Sequence, residues 1–185
     1  MNMFVVSGAI ETQPNEFPWM VNVNNHCGGS LISDQWVLTA AHCVRSYAAS
    51  NTVEIGQHDI RTHGISIPIS RVIIHKDYNR HVRFNNDIAL LKLKYPVDLK
   101  NVPHVGKICL AGNTGATQAT VAGWGKTEYS GYSNVLKKAD VKVISNTECR
   151  QYGGDFSYVT SNMLCTVPHH WEGEFLKGAC QGDSG

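Results

Sequence analysis

The chain has 185 residues, 42% of them hydrophobic, which is enough apolar material for one or two small cores. Sixteen basic and fifteen acidic residues nearly cancel, so charge gives no reason to expect nucleic acid or a membrane surface as partner. The longest apolar stretches, such as Ile88-Ala89-Leu90-Leu91, are far too short to span a bilayer as helices.

Met1-Asn2-Met3-Phe4 opens the chain without the basic and apolar regions of a secretory signal. Four short β-branched runs follow: Val21-Asn22-Val23, Ser30-Leu31-Ile32, Trp36-Val37-Leu38-Thr39 and Val53-Glu54-Ile55 read as strands. Between the third and fourth, Ala40-Ala41-His42-Cys43-Val44 suits a single helical turn. Two more strands are predicted at Ser70 to Ile74 and Ile88 to Leu93, then a strand-poor segment, 96–117, that holds Pro96 and Pro103. Thr120-Val121-Ala122 and Val135 to Val143 complete the set. Asn24-Asn25, Ser33-Asp34 and Gly153-Gly154 are turn signals, and no long stretch keeps a 3.6-residue apolar period. An all-β barrel or sandwich is the expected fold class, in two halves, 5–95 and 118–185, joined by the connector 96–117.

Six cysteines are present: Cys27, Cys43, Cys109, Cys149, Cys165 and Cys180. None shows the C-x-x-C spacing of a zinc knuckle or redox pair. The distance from Cys27 to Cys43 equals that from Cys149 to Cys165, which suggests two bridges without fixing the pairing. A bridge closing a loop of this size contributes roughly 3 kcal/mol in the chain-entropy account.

Peptide hydrolysis at neutral pH requires a nucleophile, a base that takes its proton and a group that orients the base. Thr39-Ala40-Ala41-His42-Cys43 supplies a histidine, Asn86-Asp87-Ile88-Ala89 a carboxylate at the mouth of an apolar strand, and Gly182-Asp183-Ser184-Gly185 a serine between glycines. Singly, each has a plainer reading: a core or surface histidine, a turn aspartate, an ordinary glycine turn. Together, in the order His, Asp, Ser, they match one of the known chain orders of the Ser-His-Asp triad.

Val5-Val6-Ser7-Gly8, Phe17-Pro18-Trp19, Cys27-Gly28-Gly29-Ser30-Leu31-Ile32, Trp36 to Cys43, Asn86 to Leu90, Gly123-Trp124-Gly125 and Gly178 to Gly185 stand in a definite succession. That succession, covering residues 5–185, resembles the chymotrypsin/trypsin-like serine proteases. The resemblance implies two six-stranded antiparallel Greek-key barrels, the second incomplete in this chain. It implies a catalytic triad of His42, Asp87 and Ser184, with the amides of Gly182 and Ser184 as the oxyanion hole. It also implies bridges Cys27–Cys43 and Cys149–Cys165, a secreted, extracellular zymogen, and activation by pairing of the Val5 amine with Asp183. Protein or peptide substrates and protein protease inhibitors are the partners it implies, for a monomer without cofactor or metal.

The sequence departs from that pattern in several places. Family members continue beyond the nucleophile, so the chain reads as truncated at its C-terminus, with Cys180 separated from its usual partner. Cys109 has no obvious partner. Phe4 precedes Val5, where an Arg or Lys is usual: either a chymotrypsin-like protease activates the chain, or, the favoured expectation, residues 1–4 are a start-site artefact. Gly178, Ala179 and Gln181 fall on the substrate pocket, and glycine stands at 178 where trypsin-like enzymes carry an Asp. An uncharged pocket base predicts a chymotrypsin-like or broad preference, since a substrate cation there lacks a counter-charge. The rival to an endopeptidase is a catalytically silent homologue or fragment that binds protein, although all three triad residues are kept.

The other histidines are His26, His58, His63, His75, His81, His104, His169 and His170. His58 and His63, on one loop, could suggest a metal, but no cysteine or carboxylate set completes a tetrahedral site, so solvated loop histidines are the plainer expectation. The loop from Gln57 to Ile69 offers Asp59 as its only acid, too few oxygen ligands for calcium. Arg61, Arg71, Lys76, Arg80 and Arg83 could line up as a positive strip on the first half, for which a solvated surface is the plainer expectation.

Overall fold

The computed structural model describes residues 9–25, 27–45, 52–112, 115–126 and 131–168. Six of its ten strands close a barrel: β2 (Met20–Val23), β3 (Cys27–Leu31), β4 (Trp36–Thr39), β5 (Thr52–Ile55), β6 (Ile65–Ile74) and β7 (Ala89–Leu93). Their order around the wall is β2-β3-β4-β7-β6-β5, and every pairing is antiparallel. Closure leaves this sheet without a free edge.

Alternation fills the barrel. Val37, Val53, Ile55, Ala89, Leu91 and Leu93 point inward from β4, β5 and β7, and meet Val21, Val23 and Leu31 in one buried cluster. Each such side chain, fully buried, contributes about 1.5–3 kcal/mol relative to an exposed one. Gly29 lets β3 and β4 approach: a Cβ there would lie 2.9 Å from Val37 Cγ1. The connector is part of this barrel's packing. Val97 and Val105 are buried in its core, and the amides of Gly106 and Ile108 donate to the carbonyls of Pro18 and Leu31 at 3.0 and 2.9 Å.

The remaining strands build a second sheet around β9 (Lys137–Ile144). β8 (Gln118–Gly123) runs along one side of it; β1 (Ile10–Glu11) and β10 (Cys165–Pro168) share the other, since each meets β9 residues already paired with β8. Among the described residues this sheet does not close. β1 therefore serves the second sheet, although it precedes the first barrel in the chain. The described architecture is the trypsin fold, with one closed six-stranded barrel and a second, unclosed sheet.

A helix, α2 (Asn146–Gln151), follows β9, and the Ser145 side chain caps it by accepting from the Glu148 amide at 3.1 Å. A disulfide joins Cys149 of this helix to Cys165 of β10, inside a cluster with Ile144 and Val167. Met20, Trp124 and Leu136 form a third buried cluster, joined by Phe17, Trp19 and Ile60, where the barrel meets the second sheet.

Candidate active site

β4 and β7 are neighbours in the barrel wall, and Thr39 stands opposite Ala89. His42 lies just beyond the end of β4, and Asp87 just before the start of β7. This register alone brings the two residues together from distant parts of the chain.

Local structure then fixes each partner. His42 sits in the one-turn helix α1 (Ala41–Val44), entered through an extended Ala40. Ala41 and Val44 bury themselves in the barrel core, leaving His42 on the outer side of the turn. The Cys27–Cys43 disulfide ties this turn to β3, with the two Cα atoms 6.1 Å apart. The Thr39 hydroxyl, buried, donates to the Gly28 carbonyl at 2.8 Å and secures the strand leading into the turn.

Asp87 holds His42 at two points. Its Oδ1 accepts from the His42 backbone amide at 2.8 Å, and its Oδ2 lies 2.6 Å from the ring Nδ1. A carboxylate only accepts, so Nδ1 carries the hydrogen, and in the neutral ring the lone pair falls on Nε2, the nitrogen a base would use. Both side chains are partly covered, which favours a short, charge-assisted bond over free rotation in water.

The Phe84 ring stands edge-on to the imidazole, with centroids 5.7 Å apart and planes at 69°. Sequence reasoning missed this residue; a phenylalanine three positions before the aspartate carries no pattern of its own. Tyr78 lies in the same loop, and burial, then the Asp87 charge, push its phenol up.

One group of potential metal ligands occurs among the described residues: Cys27, His42 and Cys43. Both sulfurs are consumed by the disulfide, so no thiolate remains for a metal. In the 57–69 loop, Asp59 is gripped by Arg61, whose Nη2 reaches Oδ2 at 2.5 Å, and Gln57 donates to the Thr62 carbonyl. The positive strip is broken by acids: besides Asp59 with Arg61, Asp77 takes Arg80 at 2.8 Å and Lys76 at 4.0 Å.

The expectation of a solvated His58 is corrected. Its Nε2 lies 3.0 Å from Glu11 Oε1 and its Nδ1 3.4 Å from Thr12 Oγ1, while its carbonyl accepts from Trp124 Nε1 at 3.0 Å and from the Leu136 amide at 2.8 Å. The loop that carries it is wedged between the two halves. Cys109 is exposed and, among the described residues, in no disulfide.

Of the residues the sequence singled out, the structure brings together His42 and Asp87, and pairs Cys27 with Cys43 and Cys149 with Cys165. Ser184, Gly182, Asp183, Gly178, Ala179, Gln181, Cys180 and Val5 lie outside the described residues, as do His26, His169 and His170.

Comparison with known proteins adds the whole-chain view. The sequence model of the family described as Trypsin matches residues 6–185. A venom serine protease of Polistes dominula is 36% identical over 98% of this chain and 68% of its own length. Cationic trypsin-3 of Rattus norvegicus is 37% identical over 97% of this chain and 72% of its own. A trypsin of Xenopus laevis is 34% identical, covering 97% and 73% respectively. With this coverage, the barrel and the paired His42 and Asp87 all on one sequence, the chain belongs to the trypsin family of serine proteases.

Proposed function

We propose that the protein is a secreted serine endopeptidase that hydrolyses peptide bonds through an acyl-enzyme intermediate. The observation that carries this reading is the pairing of His42 Nδ1 with Asp87 Oδ2 at 2.6 Å, the arrangement in which a neutral imidazole offers Nε2 as the base. In this mechanism Ser184 Oγ attacks the scissile carbonyl and its proton passes to His42 Nε2. The amides of Gly182 and Ser184 stabilise the oxyanion, a contribution of about 2.7–4 kcal/mol per donor in the one case measured closely. Collapse breaks the C–N bond and the imidazolium returns its proton to the leaving amine. Water, deprotonated by the same imidazole, then releases the acid and restores Ser184. Asp87 keeps the ring in its working tautomer throughout and stabilises the imidazolium.

Two disulfides suit an oxidising compartment and support secretion. Activation is assigned to the Val5 amine pairing with Asp183. Gly178 at the pocket base favours Phe, Tyr or Leu before the scissile bond, with Ala179 and Gln181 lining the approach.

The test is covalent labelling with a fluorophosphonate, which reacts only with an activated serine. The active protein is expected to label at Ser184, and Ser184→Ala to abolish both labelling and turnover, by on the order of a millionfold. Full turnover in Ser184→Ala would refute the assignment, and an unlabelled protein that still binds other proteins would mark a silent homologue. A peptide panel checks specificity: cleavage after Phe and Leu is expected, and cleavage confined to Arg and Lys would overturn the role given to Gly178.

A further inference from the structure

We infer that Asn85 and Thr160 form a positioning pair that holds the Asp87 loop against the second half of the molecule. Its kinetic consequence rests on the endopeptidase reading above.

Residues 75–88 connect β6 to β7 and deliver Asp87. Four non-glycine residues in this loop adopt left-handed backbone: Asn79 (φ 61°), His81 (64°), Phe84 (62°) and Asn86 (54°). Each such conformation is unfavourable for a residue with a Cβ, so the loop keeps its shape only where its surroundings over-determine it. Part of that restraint is internal. The Asn79 amide donates to the Asn85 carbonyl at 2.8 Å, the Phe84 amide to Asn79 Oδ1 at 2.9 Å, and Asn86 Nδ2 to the Asp77 carbonyl at 3.2 Å. These bonds fix the loop's shape, but leave its tilt against the rest of the protein to external contacts.

Asn85 makes such a contact with its side chain. Its Oδ1 accepts from Thr160 Oγ1 at 2.8 Å, and from Asn162 Nδ2 at a long 3.4 Å. Thr160 is firmly seated in turn. Asn146 Nδ2, at the start of α2, donates to the Thr160 carbonyl at 2.7 Å and to that of Met163 at 3.1 Å. Arg150 Nε donates to the Val159 carbonyl at 3.0 Å, and the Cys149–Cys165 bridge pins α2 to β10. The far end of the tether is therefore a cross-linked unit of the second half. The near end lies next to Phe84 and two residues from Asp87, both of which contact the His42 ring. The strand register delivers Asp87 to His42, and this hydroxyl restrains the loop beside both groups against the second half.

Thr160→Val removes the hydroxyl at nearly constant volume, Asn85→Ala removes the acceptor, and Thr160→Ser keeps the bond. Losing a single hydrogen bond of this kind predicts a fall in kcat of about threefold to tenfold in the active, full-length protein. KM is expected to stay at its wild-type value, the double variant to lose no more than either single one, and Thr160→Ser to retain activity. Additive losses, a change confined to KM, or a Thr160→Ser variant as poor as Thr160→Val would overturn the pair. Amide exchange of residues 75–88, read by mass spectrometry on the same proteins, is expected to rise several-fold in Thr160→Val and Asn85→Ala only. Unchanged exchange would overturn the tether whether or not peptides are cut. Conversely, an inactive wild type that shows this exchange difference would sink the endopeptidase reading and support the tether.

Discussion

Asp59 accepts from the Arg61 backbone amide at 2.9 Å, from Nε at 3.0 Å and from Nη2 at 2.5 Å. These bonds, the guanidinium's first, lower its carboxyl from an ordinary 3.8 to about 2. A lowered folded-state value means that the pairing favours the folded state fully above the ordinary carboxylate range, and that this contribution disappears as pH falls through about 2. The group is exposed, so the effect is local and salt-sensitive. An NMR titration of the Asp59 side-chain carbon is expected to show its midpoint near 2 in the native protein, and Arg61→Gln to return it towards 3.8. An unmoved midpoint in that variant would remove Arg61 as the cause. His58 and Asp59 are adjacent, yet their settings differ: one is fixed between halves, the other is held by its own loop. Nothing in residue type or spacing separates those two outcomes.

At the level of elements, β3 and β4 touch where Gly29 faces Val37. A Cβ at position 29 would lie 2.9 Å from Val37 Cγ1, 3.1 Å from the Leu38 carbonyl oxygen and 3.3 Å from Val23 Cγ2. Backbone cannot retreat from the second of these without disturbing the ladder, so Gly29→Ala is expected to destabilise by about 1–3 kcal/mol. Gly112 is the matched control, since a Cβ there meets nothing within 4 Å among the described residues. Urea denaturation reads both: the midpoint falls for Gly29→Ala and stays for Gly112→Ala. Equal midpoints would show that the strands can part at no cost.

The same glycines explain where the sequence was silent. The strand predicted at Ser30 to Ile32 begins at Cys27, because Gly28 and Gly29 carry no strand propensity yet pair with β2 throughout. β1 is two residues long, and such a strand leaves no periodic trace. α2 spans under two turns, too few for a 3.6-residue period. By contrast, β4, β5 and β7 alternate cleanly against a single core, and there the expected and observed elements agree closely. For the site, the motifs around His42 and Asp87 were readable in sequence. Their contact depends on the β4–β7 register, and Phe84 and Thr160 join through loop geometry that no local pattern encodes.

On the scale of the molecule, the two halves are held by several kinds of contact. Met20, Trp124 and Leu136 give an apolar seam, and His58 with Trp124 a polar one. Asn85 with Thr160 adds the tether near the base. The segment before the barrel crosses this seam as well: Ile10 and Glu11 pair with Lys138 and Lys137, the Thr12 amide donates to the Leu136 carbonyl, and Glu16 takes Lys138. That crossing gives the chain an order of assembly on the ribosome. All six barrel strands, with the connector valines that complete their core, lie between Met20 and Val105, so this unit can close while the rest is still being made. β1, although synthesised before every strand of the barrel, has no partner until Lys137 and Lys138 emerge. The earliest described strand is thus paired only after the barrel strands have been made, and its exposed edge must be tolerated until β9 emerges.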